Sequence, residues 1–396
     1  MNVEKIRGDF PILDEGIIYM DSAATSLTPE PVVASIQSYY RCYNANVERG
    51  VHRLSQVASQ LYEEAHIKVA DFIKAKEEEI IFTKNTTEGI NLVASGLGWN
   101  REDKIITSIL EHHSNLMPWL RIKRKFGVKL EIVKPKNGVL RPEDIEKVVD
   151  DRTKLVALTH VSNVLGLITP IKEIAKVCKE NNALFLVDGA QSVPHIPVDV
   201  KELGCDFLAF SGHKMLGPTG TGILFMRMPL LESVEPLTIG GGTIDDVSPE
   251  EYKLKENYER FEAGTPNIAG GIALGSAVEY LENIGMKDIR KHEEKLTKKF
   301  VLGLEEIENV EILHQYLDQR IGVISFNVEG LNSHDVALML DDFSNIMVRS
   351  GYHCCMPLMK ELGVKGAVRV SLYLYNTEDE VETLLGIVED IARSSV

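Results

Sequence analysis

The sequence predicts an α/β protein with a large, doubly wound domain built on a mostly parallel sheet, followed by a smaller α+β domain. Two observations predict this class. From about residue 78, short apolar runs alternate with longer helical patterns, and after residue 264 this alternation stops. The chain has 396 residues, of which 44 % are hydrophobic and 26 % charged, which is ordinary for a globular protein of two or three domains.

The strand candidates of the large domain are short runs that are nearly continuous in apolar residues. They lie at 79–82, 104–110, 129–133, 154–160, 183–190, 206–212 and 222–227. Helical patterns lie between them at 86–97, 115–127, 141–151 and 171–182. This alternation indicates βαβ units, and apolar strands without polar alternation indicate a sheet that is covered on both faces.

The pattern of the C-terminal part is different. A helical stretch over about 268–307 is broken near Gly285, short alternating runs follow, and a helix over 377–391 closes the chain. We therefore predict a large domain at 15–279 and a small C-terminal domain at 280–396, with residues 1–14 packing on the small domain. The Gly-rich patch 239–246 is predicted to be a loop.

Charge and composition exclude several classes of function. There are 43 Lys and Arg against 59 Asp and Glu, and the formal net charge of −16 argues against nucleic acid or an anionic membrane as partner. The N-terminus has no apolar signal region, and no stretch approaches the roughly 20 apolar residues of a membrane helix. The five cysteines are too few for a disulfide framework. We expect a cytoplasmic protein.

Polar residues follow the predicted strands, at the edge of the sheet where open α/β proteins bind their ligands. These residues are Thr86, Thr87, Glu111, His112, His113, Asn163, Asp188, Gln191, Ser211, His213 and Lys214. One lysine comes almost directly after a strand.

Lys214 and Asp188 carry the strongest signal. A lysine just past a buried strand is partly desolvated, which lowers its pKa and makes the amine a nucleophile that can hold pyridoxal phosphate as a Schiff base. Asp188 ends an apolar strand, where an acid is costly unless it is paired, and a cofactor pyridinium would pair with it. The alternatives are a surface lysine in a turn and, for Asp188, a metal ligand or a helix cap.

Two segments are candidates for phosphate binding. In NTTEGIN (85–91) hydroxyls and free N–H groups stand at a predicted helix start, but Asn85 with Glu88 also forms a good N-cap without any ligand. GPTGTG (217–222) lacks the ending of a phosphate loop and is more typical of a tight turn.

Histidines and cysteines offer further chemistry. His112 could stack on a flat cofactor or move a proton, and the alternative is a structural role. A zinc site would need three or four ligands. The candidates His112, His113, Cys354 and Cys355 lie too far apart in sequence to indicate one. In RSGYHCCMPLM (349–359) the neighbours of the two cysteines indicate a loop, and a thiol near Arg or His becomes nucleophilic. Arg369, on an alternating strand, suits a substrate carboxylate or forms an ordinary ion pair.

Taken together, these segments resemble a known family. HVSNVLG, VDGAQS, FSGHK, GPTGTGILF, RFEAGTPN and RSGYHC are similar to group II (Suf-type) cysteine desulfurases and selenocysteine lyases, which are class V aminotransferases of fold type I that use pyridoxal phosphate. The similarity runs in order from about residue 5 to 390. The lysine and aspartate segments are shared across class V, whereas the cysteine segment with MPLM is more specific to the desulfurase branch.

The resemblance implies a role for each matching residue. Lys214 would form the Schiff base, Asp188 would pair with the pyridinium nitrogen, Gln191 would contact the ring oxygen and His112 would stack on the ring. The other implied cofactor residues are Thr86, Thr87, Ser211 and His213, the last three at the phosphate, together with Thr265 from the partner subunit of a homodimer. Asn163, Arg349 and Arg369 would bind the substrate carboxylate, and Cys354 would carry the persulfide.

The implied activity converts L-cysteine to L-alanine, with sulfur passing to an acceptor or iron–sulfur scaffold protein. Two positions depart from the family pattern: Glu48 precedes Arg49 where a histidine is frequent, and Cys355 stands where alanine is common. Cys355 would take over the persulfide, form a vicinal disulfide or have no role. The rival functions are a selenocysteine lyase or other C–S or C–Se lyase, a non-catalytic sulfur carrier, and a zinc hydrolase.

Overall fold

The computed structural model describes residues 1–47 and 50–394, so Glu48 and Arg49 lie outside the described residues. Within these residues there are thirteen α-helices and fifteen strands, with short 3-10 turns between them. The strands are β1 Ile18–Tyr19, β2 Ile80–Thr83, β3 Lys104–Ser108, β4 Lys129–Val133, β5 Thr153–Thr159, β6 Leu184–Asp188, β7 Phe207–Ser211, β8 Gly222–Met226, β9 Ile244–Val247, β10 Tyr252–Leu254, β11 Val310–Ile312, β12 Val323–Val328, β13 Ile346–Met347, β14 Arg349–Gly351 and β15 Ala367–Ser371.

The helices are α1 Val3–Arg7, α2 Glu30–Cys42, α3 Arg53–Ile73, α4 Thr86–Gly96, α5 Met117–Phe126, α6 Pro142–Glu146, α7 Ile171–Glu180, α8 Val200–Leu203, α9 Ile268–Ile284, α10 Met286–Glu305, α11 Ser333–Ser344, α12 Met356–Glu361 and α13 Glu378–Ser394. The 3-10 turns are Pro11–Glu15, Glu77–Glu79, His113–Asn115, Lys136–Gly138, Gly212–Lys214, Met228–Leu230 and Tyr258–Phe261. No helix of the described chain is long and apolar enough to cross a membrane.

A seven-stranded sheet forms the centre of the fold. Its strand order is β2-β8-β7-β6-β5-β3-β4. Neighbouring strands are parallel from β7 to β4, and β8 is antiparallel to both β7 and β2. This confirms the predicted doubly wound, mostly parallel sheet.

Both faces of this sheet are buried. Along β5, Val156 and Leu158 belong to one apolar cluster, while Leu155 and Ala157 belong to a second cluster on the opposite face. Because successive side chains of a strand point to opposite faces, an unbroken apolar run buries both. Each fully buried large apolar side chain contributes about 1.5–3 kcal/mol.

A second, four-stranded antiparallel sheet has the order β11-β12-β15-β14. Ile324 and Phe326 of β12 pack with Phe300 of α10, Leu340 of α11 and Leu384 of α13. The predicted boundary between residues 279 and 280 falls inside α9, and the division into two domains stays a prediction.

The first residues of the chain contact α9, the segment after β15 and α13. Phe10 is buried against Tyr280 of α9 and Tyr375 after β15. Arg7 of α1 forms an ion pair with Glu380 of α13.

Two local expectations differ from the structure. Part of the predicted loop 239–246 is strand, because Ile244–Val247 pairs with Tyr252–Leu254 as an antiparallel hairpin. The predicted helix at 141–151 is only Pro142–Glu146. The Asp150 side chain binds the N–H of Arg152 and the hydroxyl of Thr153, which stabilises a turn in place of further helix.

Gly222 couples the sheet to the start of α4. It begins β8, and a Cβ at this position would lie 2.5 Å from the Cα of Asn85, the N-cap of α4. We expect Gly222→Ala to lower the free energy of unfolding by about 1–3 kcal/mol, because the cap must move.

Urea unfolding checks this expectation. The control is Gly386→Ala in α13, where nothing lies within 4 Å of the added Cβ. An unfolding midpoint of Gly222→Ala equal to that of the unsubstituted protein would contradict the prediction.

Candidate active site

A cavity of about 230 Å³ opens at the carboxyl ends of the parallel strands. It brings together residues that are far apart in sequence, from the turn after β1 to the middle of β15. The predicted site residues that line it are Thr86, Thr87, His112, Asn163, Asp188, Gln191, Ser211, His213, Lys214, Arg349, Cys354 and Arg369. Thr265 does not line it, and neither do Glu111 and His113, which the sequence analysis placed at the same edge of the sheet.

Asp188 and Gln191 form one wall of the cavity. Asp188 ends β6, and its carboxylate accepts a hydrogen bond from the Ala190 N–H at 2.9 Å. Burial raises the pKa of this carboxyl group, opposed by the Ala190 hydrogen bond and the charge of Lys214. Gln191 donates to the Ala23 carbonyl at 2.7 Å, and its buried Oε1 has no hydrogen-bond partner in the described chain.

Lys214 ends the 3-10 turn that follows β7. Its side chain is buried, and this burial lowers the pKa of the amine to about 8, although Asp188 acts in the opposite direction. The turn is held in place by Ser26, whose N–H donates to the His213 carbonyl at 2.8 Å. A substantial fraction of this amine is therefore neutral near physiological pH.

The start of α4 lies at the cavity, which Asn85, Thr86 and Thr87 line. Asn85 caps the helix by accepting from the Glu88 N–H at 3.0 Å. The Thr86 N–H donates to the Ser211 hydroxyl at 2.9 Å, which ties the helix start to the end of β7. Helix N-termini of this kind favour anions through their free N–H groups and the helix dipole. The capping prediction is confirmed, and the helix start faces the cavity as well.

His112 is an uncharged ring in this environment. Its pKa is lowered to about 3, first by burial and then by the nearby positive charge of Lys214. Nδ1 accepts from the Ser114 N–H at 3.1 Å, so the proton of the neutral ring is on Nε2. Ser114 also bonds to the Thr87 hydroxyl at 2.7 Å, which links His112 to α4.

Arg369 presents a buried guanidinium to the cavity. Its Nη1 donates to the Asn163 carbonyl at 3.2 Å and its Nη2 to Asp21 at 3.0 Å. Nε has no partner within the described part of the protein. The Asn163 amide donates to the His353 carbonyl at 2.7 Å, toward the cysteine loop. Arg349 is about half exposed at the rim.

The two neighbouring cysteines are in opposite environments. Cys354 is exposed and lines the cavity, whereas Cys355 is fully buried. Burial raises the pKa of the Cys355 thiol to about 12, and its sulfur lies 3.3 Å from the Glu111 carbonyl oxygen. Both thiols are free, so the chain has no vicinal disulfide. Of the two, only Cys354 is accessible to a substrate.

The backbone around Cys354 is an uncommon turn. His353 and Cys354 both have positive φ, 48° and 54°, which L-residues seldom adopt. The turn is held from two sides, because the His113 N–H donates to the Cys354 carbonyl at 2.7 Å and Asn163 holds the His353 carbonyl. This arrangement keeps the thiol at the mouth of the cavity.

Sequence reasoning missed several lining residues. They are Ala23, Ala24, Ser114, Thr159, Val161, Ala190 and His353. His353 stands directly before the cysteine pair, and this adjacency is the one signal that could have identified it. Its Nε2 donates to the Ala367 carbonyl at 3.0 Å, which leaves Nδ1 unprotonated and buried.

Thr265 lines two other cavities of this chain, one of them with Asn46, Gly241 and Gly242. Its predicted action on a partner subunit stays a prediction. Among the described residues, no group of three or more His, Cys, Asp or Glu side chains is arranged to hold a metal ion.

Comparison with known proteins identifies the class of this chain. The model of the aminotransferase class-V family matches residues 18–384, and the chain therefore belongs to this family. It is 52 % identical over 395 residues to a probable cysteine desulfurase of Pyrococcus abyssi, covering 99 % of this chain and 98 % of the relative. A probable cysteine desulfurase of Halalkalibacterium halodurans is 46 % identical, with 97 % and 96 % covered.

A solved structure agrees with these relatives. The apo structure of a cysteine desulfurase from Thermococcus onnurineus matches with a TM-score of 0.96 and 52 % identity, covering 100 % of this chain and 99 % of that one. The matches confirm the family, the fold type and the kind of enzyme predicted from the sequence, and pyridoxal phosphate as its cofactor.

The residues of the cavity fit this cofactor chemically. A buried carboxylate at Asp188 suits a protonated ring nitrogen, and the largely desolvated amine of Lys214 suits an aldehyde. The N-terminus of α4 suits a phosphate. The unpartnered Oε1 of Gln191 is a buried acceptor that a polar group on the ring would satisfy.

The pKa of Lys214 predicts how the cofactor-free protein takes up pyridoxal phosphate. Only the neutral amine attacks an aldehyde, so the uptake rate should rise about tenfold per pH unit well below the pKa of about 8, rise less steeply as the pH approaches 8, and level off about one unit above it. Stopped-flow absorbance measures the rate, and borohydride reduction with peptide mapping locates the bound cofactor.

We expect the label on Lys214, and none after Lys214→Ala. Replacing the exposed Lys298 by Ala should leave both the rate and the label unchanged. A rate that keeps climbing to pH 10 would show an amine with an ordinary pKa and contradict the prediction.

Proposed function

We propose that this protein converts L-cysteine to L-alanine with pyridoxal phosphate and receives the sulfur on Cys354 as a persulfide. The observation that carries this proposal is the position of Cys354, an exposed thiol that lines the same cavity as Lys214 and Arg369. The named relatives at 46 % and 52 % identity, both probable cysteine desulfurases, support it.

The cofactor would be held by four groups of this chain. Lys214 would bind its aldehyde carbon, Asp188 would face the ring nitrogen and His112 would stack on the ring. The phosphate would lie at the start of α4, near Thr86, Thr87, Ser211 and His213. When bound, the cofactor withdraws electrons from the α-carbon of an amino acid.

Lys214 would carry out the proton transfer. Burial lowers the pKa of Nζ of Lys214 to about 8 in this chain, so this amine, when not bonded to the cofactor, would accept the α-proton of a bound amino acid. Asp188 would keep the ring nitrogen protonated, because a carboxylate facing that nitrogen stabilises its positive charge. His112 stays neutral because its pKa is lowered to about 3.

Substrate binding would be directed by the guanidinium groups. The unpartnered Nε of Arg369 and the half-exposed Arg349 offer donors for the α-carboxylate. Asn163 connects this part of the cavity to the Cys354 turn through the His353 carbonyl. The substrate sulfur would thus lie toward Cys354.

Sulfur transfer would be a nucleophilic displacement by Cys354. The Cys354 thiolate attacks the substrate sulfur, an S–S bond forms, and the Cβ–S bond breaks with its electron pair remaining on carbon. Alanine would be completed by two protons, one delivered to Cβ and one returned from Nζ of Lys214 to Cα. Cys355 has no part in this step, because its thiol is buried and its pKa is raised to about 12.

The two cysteines make a matched pair for a test. Cys354→Ser should reduce alanine formation from L-cysteine by at least about 100-fold while the cofactor absorbance is retained. Cys355→Ser should leave the rate within about threefold of that of the unsubstituted protein. Alanine quantification and the visible spectrum measure both outcomes.

Full activity of Cys354→Ser together with a loss in Cys355→Ser would reverse the assignment. A colourless protein with no cofactor absorbance would contradict the enzymatic function itself and favour a non-catalytic sulfur carrier.

Selenocysteine lyase is the second candidate, because selenocysteine differs from cysteine only in its selenium atom, which leaves carbon more readily than sulfur does. If the protein is a desulfurase, Cys354→Ser should retain turnover of selenocysteine better than turnover of cysteine. Alanine release from both substrates distinguishes the two functions: unsubstituted protein that acts on selenocysteine alone would be a lyase.

We propose further that the enzyme is a cytoplasmic homodimer in which Thr265 reaches the partner's cofactor site, and that an acceptor or iron–sulfur scaffold protein takes the sulfur. All five cysteines are free, which fits a reducing compartment. Thr265 lies outside its own chain's cavity, which fits a contribution across a subunit interface.

A further inference from the structure

Two side chains near the nucleophile have no role in the proposed reaction, the imidazole of His113 and the thiol of Cys355. Both lie where the segment 109–113, which follows β3, meets the turn that carries Cys354. The Cys355 sulfur lies 3.3 Å from the carbonyl oxygen of Glu111. Two stretches that are far apart in sequence are therefore in direct contact beside the nucleophile.

His113 contacts the turn in two ways. Its backbone N–H donates to the Cys354 carbonyl at 2.7 Å, and its ring Nε2 accepts from the Met356 N–H at 3.2 Å. Burial lowers the pKa of the His113 ring, which favours the neutral form with its proton on Nδ1 and leaves Nε2 free to accept. One residue therefore holds both sides of the Cys354–Cys355 pair.

The ring of His113 provides what the start of α12 needs. Met356 is the first residue of this helix, and the first N–H groups of a helix have no acceptor within the helix itself. Cys355, the residue before the helix, makes no side-chain hydrogen bond to that helix start within the described chain. The acceptor comes instead from His113, 243 positions away in sequence.

The segment that carries His113 is itself held in place. The fully buried Glu111 carboxylate accepts from the Ser108 hydroxyl and from the Asn115 amide, both at 2.6 Å. These two bonds close the chain around His113 on either side. The histidine is therefore a fixed point to which the cysteine turn can be attached.

The backbone at the nucleophile requires such support. His353 and Cys354 have φ values of 48° and 54°, a conformation that L-residues keep only where the surrounding structure enforces it. Asn163 holds the His353 carbonyl from one side. His113 holds the residues that follow, so the position of the thiol depends on both contacts.

We propose that His113 is a positioning residue for the nucleophile, which holds the start of α12 through Nε2 and so keeps the Cys354 thiol at the mouth of the cavity. His113 does not line the cavity, and it would act on Cys354 alone. The inference rests on the proposed function, because it assumes that the Cys354 thiol attacks the substrate sulfur.

A pair of substitutions in the pyridoxal phosphate holoenzyme tests the proposal. His113→Ala removes the acceptor and should lower kcat for alanine formation from L-cysteine on the order of tenfold, because the thiol is displaced. KM and the cofactor spectrum should stay unchanged, since substrate and cofactor do not contact His113. His113→Gln places an amide oxygen at the reach of Nε2 and should restore kcat to within about threefold of that of the unsubstituted protein.

Amide hydrogen exchange of the same holoenzymes measures the contact without any activity. The segment 352–359 should exchange faster in His113→Ala, because the Met356 N–H loses its acceptor. His113→Gln should keep the slower exchange. If His113→Ala does not fold, His113→Leu carries the same expectations, since it fills more of the space and also lacks an acceptor.

His292→Ala is the matched control. His292 is also partly buried, and its Nε2 also bonds to a distant backbone group, the Asn376 carbonyl at 2.9 Å. It lies on α10 and does not line the cavity. Its replacement should leave both kcat and the exchange of the segment 352–359 unchanged.

Three results would overturn the proposal: an unchanged kcat in the variant without an acceptor, a loss that His113→Gln does not restore, or a rise in KM without a fall in kcat. Failure of the proposed function is separate. It would show as absent alanine formation from L-cysteine in the unsubstituted holoenzyme, or as full activity of Cys354→Ser, whatever His113 does.

Discussion

The site depends on the burial of an amine and a carboxylate in one cavity at the ends of neighbouring strands. Asp188 ends β6, and Lys214 comes three residues after β7, its parallel neighbour. Burial disfavours the charged form of each group, lowering the pKa of Lys214 and raising that of Asp188, while each group's charge partly offsets the shift of the other. A ring that pairs with the carboxylate and takes up the amine satisfies both groups at once.

Two residues that are adjacent in sequence can nevertheless differ in their exposure and therefore in their reactivity. Cys354 and Cys355 have the same side chain, but the turn with positive φ at His353 and Cys354 directs one thiol to the cavity and buries the next. The hydrogen bonds from Asn163 and His113 to this turn hold its geometry. Backbone conformation, and not residue type, therefore determines which cysteine is available.

The sequence predicted the sheet and the core of the site, because both depend on local patterns. Apolar runs gave the strands, and the residues after them gave Asp188, Ser211 and Lys214. Asp21 and Ala23 escaped prediction because their contacts join residues about 350 positions and 170 positions apart in the chain. The hairpin of Ile244–Val247 was missed because its glycine-rich neighbours indicate a loop. Contacts between residues that are distant in sequence leave no periodic pattern in that sequence.

Those distant contacts have a common origin in the segment that follows β1. Asp21 binds Arg369, the Ala23 carbonyl accepts from Gln191, and Ser26 holds the carbonyl of His213 beside Lys214. Each contact ties this segment to a different wall of the cavity, one from β15 and two from the central sheet. Because a single stretch of chain contacts both the cofactor wall and the arginines, displacement of this segment would disturb both together. If the proposed roles of these residues hold, recognition of the substrate carboxylate and binding of the cofactor are structurally coupled through residues 21–26.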